Sequence, residues 1–135
     1  MKVLVDTPVW SWSLRNRPDP HQRLAFVQIF KELIQAGRVC LIGPVRQEIL
    51  SGIRQDTQYE TLREHLRAFP DYSPDIEDFE MAARYFNLCR QKGIQGSHTD
   101  FLICAMAIRY QWQILTPDHD FQHYAQILPL KLWVV

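Results

Sequence analysis

The sequence predicts an α/β fold: a three-layer α/β/α sandwich with a mainly parallel central sheet. Three observations predict it. Brief apolar runs alternate with longer helical patterns, those runs are almost continuously apolar as strands covered on both faces are, and Gly or Pro stands at the joints. No repeat, low-complexity tract or long linker interrupts the alternation, and 47% hydrophobic residues over 135 positions supply a core without staples. The expectation is one domain covering residues 1–135.

The first strand is expected over Lys2–Asp6, where a Val/Leu run ends on a carboxylate, and Pro8 then opens a short helix over Pro8–Leu14. A helical pattern over His21–Ala36 closes on Gly37, at the place after a helix end that favours a left-handed residue. Val39–Ile42 reads as the second strand, and Pro44 starts a helix over Pro44–Ile53. Helical patterns over Thr57–Ala68, Pro74–Lys92 and Ser97–Tyr110 follow, the second ended by Gly93. The last strands are Gln113–Thr116 and Lys131–Val135.

Composition narrows the function. Fifteen Lys and Arg offset fifteen Asp and Glu, so the chain lacks the basic bias of a bulk nucleic-acid binder. Cys40, Cys89 and Cys104 are far apart in apolar runs and read as buried free thiols of a reducing compartment, with neither zinc spacing nor a disulfide framework. Asp6 cuts the apolar start short of a signal peptide, and no run nears the ~18 apolar residues of a membrane span. A cytoplasmic protein without membrane contact is expected.

The acids carry the chemistry. In open parallel sheets, ligands bind beyond the carboxyl ends of strands, where the chain turns into a helix; Asp6 in VLVDTPVW stands at such an end. Glu48 in GPVRQEIL shares a helix face with Val45, Ile49, Gly52 and Ile53, one turn into a helix that follows a strand. It is either a solvated glutamate at the edge of an apolar stripe or a site residue facing the same sheet edge. Asp100 in GSHTDFLICAMAIRY also has two readings. With Ser97 as N-cap it occupies the third helical position of a capping arrangement. Yet it shares a face with Phe101, Cys104, Ala105 and Ile108 on a helix apolar nearly all round, where a carboxylate wants a cation or another partner. Asp118 and Asp120 in ILTPDHDF follow the strand-ending Thr116 within a tight turn. Each alone reads as a turn or N-cap residue, and together they put two acids at a second strand end.

Gathered at one sheet edge, these acids make an oxygen-only ligand set, which selects a hard cation such as Mg²⁺ or Mn²⁺; zinc would want His or Cys. Carboxylates around such an ion are the usual equipment for phosphodiester hydrolysis, in which the metal activates a water and neutralises phosphate charge. Without a cation the clustered carboxylates repel and raise each other's pKa.

VDTPVW, Glu48 after a strand, TDFLICAMA and LTPDHDF, in this order and over essentially the whole chain, resemble the PIN domain and in particular its VapC-type toxin members. The resemblance implies a parallel α/β/α sandwich, Mg²⁺- or Mn²⁺-dependent endoribonuclease activity on RNA, a homodimer, and inhibition by a cognate VapB-like antitoxin. By matching position it implies an acidic quartet of Asp6, Glu48, Asp100 and Asp118, with Asp120 able to add a ligand and Thr116 as the hydroxyl that orients a ligand or a water. Two departures are visible. Pro8 stands where the family often has Ser or another small residue, and ICAM replaces small and aliphatic residues; neither removes a carboxylate.

With the quartet set aside, fifteen bases face eleven acids, and eleven of the bases are arginines, which fork onto phosphates. Arg46, Arg54, Arg63 and Arg67 either flank an RNA path or sit on a solvated surface with intrahelical pairs such as Glu60 with Arg63 and Glu64 with Arg67. Trp10 and Trp12 read as core or interface residues before base-stacking ones, and His98 and His119 at most support the acids. The competing reading is a non-catalytic PIN-like module that binds RNA or protein, for which degraded acidic positions would be the sign; here all are intact. A haloacid-dehalogenase-type phosphatase needs an Asp two residues after its nucleophile, where this chain has Pro8.

Overall fold

The structure, a computed structural model, describes residues 1–14 and 21–135, with the backbone alone for His21 and Gln22. In chain order the elements are β1 (Val3–Val5), α1 (Thr7–Leu14), α2 (His21–Gln35), β2 (Val39–Cys40), α3 (Gly43–Leu50), α4 (Asp56–Leu66), α5 (Ile76–Gln91), α6 (His98–Tyr110), β3 (Gln113–Leu115), α7 (Asp120–Tyr124) and β4 (Lys131–Leu132). All strand pairs are parallel, in the order β2, β1, β3, β4, and helices flank the sheet. This is the expected α/β architecture. Among the described residues, no helix is long and apolar enough to cross a membrane.

β1 lies inside the sheet, with Val3, Leu4 and Val5 wholly buried. Val3 pairs with Val39 on one side and Gln113 on the other. From β1 the chain crosses to β2 on one side, then returns over β1 to β3 on the other. That reversal opens a crevice beyond the carboxyl ends of β1 and β3, where an open α/β sheet offers a ligand site. Trp10 anchors the first turn out of β1. It is 1% exposed, its Nε1 donates to the Val5 carbonyl at 3.1 Å, and its ring meets Phe30 and Phe69 edge-on at 4.7 and 4.9 Å. Deleting so buried an indole costs about 3–5 kcal/mol.

Gly37 and Gly93 take the left-handed conformation expected after α2 and α5, with φ of 67° and 78°. Cys40, Cys89 and Cys104 are free and buried, and α6 is buried from Phe101 to Ala107, as its all-round apolar pattern predicts.

The structure departs from the expected elements in several places. The second strand ends at Cys40 because Leu41 leaves β1 and bridges to Asp71. The helix expected from Pro74 begins at Ile76, because Asp75 is its N-cap in a capping box with Asp78. The last strand stops after Leu132; Trp133 still donates to the Ile114 carbonyl at 2.8 Å, but Val134 and Val135 are exposed. The turn holding Asp118 and Asp120 continues into the unforeseen helix α7, whose five residues are held down by the wholly buried Phe121 and Tyr124.

Candidate functional site

Asp6 follows the last residue of β1, and its N–H donates to the Leu115 carbonyl of β3 at 2.9 Å, so the sheet itself fixes its backbone. The side chain is 7% exposed. Its Oδ1 accepts the Thr7 N–H at 2.9 Å, and its Oδ2 accepts the Thr116 hydroxyl at 2.8 Å. Thr116, the first residue beyond β3, thus bridges the crevice between the two strand ends. The same Thr116 oxygen accepts the Asp118 N–H at 3.1 Å.

Glu48 arrives from the other side. Val45 and Ile49 of α3 are buried, and Glu48 between them is exposed toward the crevice, with its Oε2 accepting the Thr7 hydroxyl at 2.8 Å. The expected face is therefore shorter than drawn from sequence: α3 ends at Leu50, and Gly52 lies beyond it with a φ of 84°.

Asp100 is both things its sequence context offered. Its N–H donates to the Ser97 hydroxyl at 3.1 Å, so Ser97 caps α6 through it. Its carboxylate meanwhile accepts the Tyr124 hydroxyl at 2.7 Å on Oδ2. Asp118 caps the following turn, its Oδ1 accepting the Asp120 N–H at 2.9 Å. Asp120 is exposed and lines a separate cavity of about 250 Å³ with Gly93, Ile94, Gln95, His123 and Tyr124. It stands at the margin of the group.

The charges feel one another. Burial pushes the Asp6 carboxyl up to about 6; the Thr116 hydroxyl and Thr7 N–H oppose the rise, while the negative charges of Asp100 and Glu48 add to it. Burial also raises Asp100, against its bonds to Tyr124 and Ser97 and with a further push from Asp118. The Tyr124 hydroxyl is driven well above its ordinary value, by burial and then by the Asp100 carboxylate it serves. Arg46, Arg63 and Arg109 form their ion pairs with Asp71, Glu60, Asp75 and Asp78, away from these acids. The oxygen donors suit a hard cation, and the excess negative charge is what such a cation would relieve. Their spacing is open, however. Among the described residues, no three Asp, Glu, His or Cys side chains are gathered closely enough to hold an ion as they stand.

Two residues of this network carried no assigned role in the sequence, Thr7 and Tyr124. Thr7 was visible as the residue after a strand-end acid. Tyr124 gave no signal, because its partner lies 24 residues away in the chain. Of the arginines, Arg46 forks onto Asp71 at 2.9 and 3.1 Å and onto the Phe69 carbonyl at 3.1 Å, which makes it a brace for the segment after α4. Arg63 pairs with Glu60 within α4, while Arg54 and Arg67 are exposed.

The PIN domain family model matches residues 3–127, a span that contains every acid of the crevice. The chain belongs to the PIN domain family. Within it the chain is VapC-like: it is 32% identical over 132 residues to a VapC ribonuclease of Mycobacterium bovis and to the ribonuclease VapC11 of Mycobacterium tuberculosis, with 96% of both chains covered in each case. In fold it is similar to VapBC2 of Rickettsia felis, solved bound to a promoter DNA fragment, with a TM-score of 0.77, 16% identity and 98% of both chains covered. FitAcB of Neisseria gonorrhoeae is similar at a TM-score of 0.75 and 21% identity, over 98% of this chain and 96% of that one. The crevice of this PIN domain lies where β1, α3, α6 and β3 deliver their acids to one sheet edge.

Proposed function

We propose that the chain, as a single PIN-like domain over residues 1–135, is a Mg²⁺- or Mn²⁺-dependent endoribonuclease and the toxin of a toxin–antitoxin pair. The observation that carries this reading is the convergence of Asp6, Asp100, Glu48 and Asp118 on one sheet edge, with the buried Asp6 pushed up to about 6 by burial and by its acidic neighbours. The relatives named as VapC ribonucleases support the RNA substrate. Asp6, Asp100, Glu48 and Asp118 would hold the cation, with Asp120 at its margin. When bound, it supplies an activated water and neutralises phosphate charge. The chain's own work is positioning: Thr116 and Thr7 hold Asp6 and Glu48, and the low exposure of Asp6 keeps bulk water from screening that carboxylate.

An uninhibited ribonuclease in the cytoplasm needs a restraint, and the groove beside α1 suits a VapB-like antitoxin segment. A cavity of about 500 Å³ there is lined by Leu14, Ile49, Ile53, Leu62 and His65 of α1, α3, α4 and the turn between them. A disordered apolar segment that folds on binding fits such a groove, and a basic residue on it would reach Glu48 and its neighbours. The exposed Ile76 and Phe79 of α5 support a homodimer.

One observation favours the second reading, a binding module without catalysis: the open spacing of the acids. Cleavage of RNA by the purified protein in Mg²⁺ or Mn²⁺, abolished by EDTA and by Asp6→Asn, is the expected result. Cleavage undiminished under chelation would overturn the metal mechanism, and RNA binding without cleavage in either metal would favour the module. Co-expression with a neighbouring small gene should yield a hetero-oligomer on size-exclusion chromatography.

A further inference from the structure

Tyr124 is a large polar side chain in a place where polarity is costly. It is wholly buried at the end of α7, with its ring centroid 4.8 Å from that of Phe101 and 5.1 Å from that of Phe121. A phenylalanine would satisfy that packing. The hydroxyl instead reaches Asp100 Oδ2 at 2.7 Å, and a buried hydroxyl without such a partner would be penalised. The chain also makes room for it. A Cβ on Gly96 would overlap the Tyr124 hydroxyl and stand 2.7 Å from its Cζ and 2.9 Å from Phe101 Cε2. No residue with a side chain fits at 96 while Tyr124 stays where it is. Gly96 immediately precedes Ser97, the cap that holds the Asp100 backbone. Asp100 is thus gripped twice, by Ser97 at its N–H and by Tyr124 at one carboxylate oxygen.

We infer that Tyr124 is a positioning residue for the cation of this site: its hydroxyl fixes the Asp100 carboxylate so that Oδ1 is presented to the ion, and Gly96 is the residue that admits it. The inference rests on the metal-dependent reading above. It differs from a core tyrosine that has found the nearest acceptor in one measurable way. A core role concerns stability alone, whereas an outer group that orients a ligand sets metal affinity, typically by 10–100-fold.

The test is Tyr124→Phe, with Mn²⁺ affinity measured by the loss of the free-ion electron paramagnetic resonance signal, beside thermal melts without metal. The expected result is a folded protein whose Mn²⁺ dissociation constant rises about tenfold or more, with no further rise when Tyr124→Phe is added to Asp100→Asn. Gly96→Ala keeps the hydroxyl but wedges it from its place, and should weaken Mn²⁺ binding in the same direction; it decides the matter if Tyr124→Phe does not fold. Folded variants that bind Mn²⁺ within about twofold of the parent chain would overturn this inference and leave the metal reading standing. A parent chain that binds no Mn²⁺ at millimolar concentration would overturn both.

Discussion

Two acidic clusters of this molecule invite comparison. At the start of α5, Asp75 and Asp78 close a capping box, and the Arg109 guanidinium of α6 donates to them at 2.7 and 2.8 Å. Asp78 is 2% exposed, more deeply buried than Asp6. Its charge is answered by a cation of the chain, and the neighbouring Asp75 is held below its ordinary pKa by the Asp78 N–H and by Arg109. At the carboxyl edge of the sheet, Asp6 and Asp100 are answered by hydroxyls, and both carboxyls are pushed up instead. Burial is common to the two places, and the compensation differs. A buried carboxylate that the fold supplies with an arginine is part of the scaffold. Several that it supplies with neutral donors form a site that an outside cation would complete.

The comparison breaks most visibly under mutation. Asp6→Asn should lower RNA cleavage by at least ~10²-fold while raising metal-free stability at pH 7. Arg109→Ala should do the opposite, leaving cleavage intact and costing about 1–3 kcal/mol, because it leaves Asp78 buried with only its capping bond. Cleavage assays run beside denaturant melts on both variants check the pair; equal losses of activity would erase the distinction.

A smaller effect is read from pH in metal-free buffer. The folded Asp6 carboxyl titrates at about 6 against a reference of 3.8. The folded state therefore binds the proton more tightly, and this group's contribution to stability is fully present below pH 4 and lost as pH rises through 6. Integrated, it amounts to at most about 3 kcal/mol. Asp6→Asn should match the parent chain near pH 4 and exceed it near pH 7 when melts are compared. Saturating Mn²⁺ should reverse that order at pH 7, since an ion at about 1,000 times its dissociation constant stabilises by about 4.1 kcal/mol.

Thr116→Val sharpens the comparison further. It removes the hydroxyl from Asp6 Oδ2 and from the Asp118 N–H without touching a carboxylate. A loss of about 1–2 kcal/mol in metal-free stability is expected, with cleavage reduced about tenfold rather than abolished. The smallest effect should come from Gln111→Gly. Gln111 closes α6 with a φ of 57°, a conformation that costs a side-chain-bearing residue about 1 kcal/mol. Glycine there should raise the melting temperature slightly and leave cleavage unchanged.

Much of this protein could be read before folding. The layer order, the two glycine stops after α2 and α5, the buried thiols and the burial of α6 follow from local pattern, because apolar periodicity and left-handed helix ends are set by residues a few positions apart. The candidate acids were legible for the same reason: each sits at a strand end or within the first two turns of a helix, and such placement is written locally. What the sequence could not determine is which groups answer those acids. Asp78 stands in a run of four acids over six positions from Asp75 to Glu80, where nothing local names a partner; only the packing of α6 on α5 brings Arg109 to it across 31 residues. Thr116 meets Asp6 across 110 residues, and Tyr124 meets Asp100 only because five residues after β3 form a helix too short to hold without tertiary burial. Local chemistry determined where the carboxylates stand along the chain. Long-range packing decided whether each was neutralised by a base or left to a hydroxyl, since a side-chain partner is chosen by position in space.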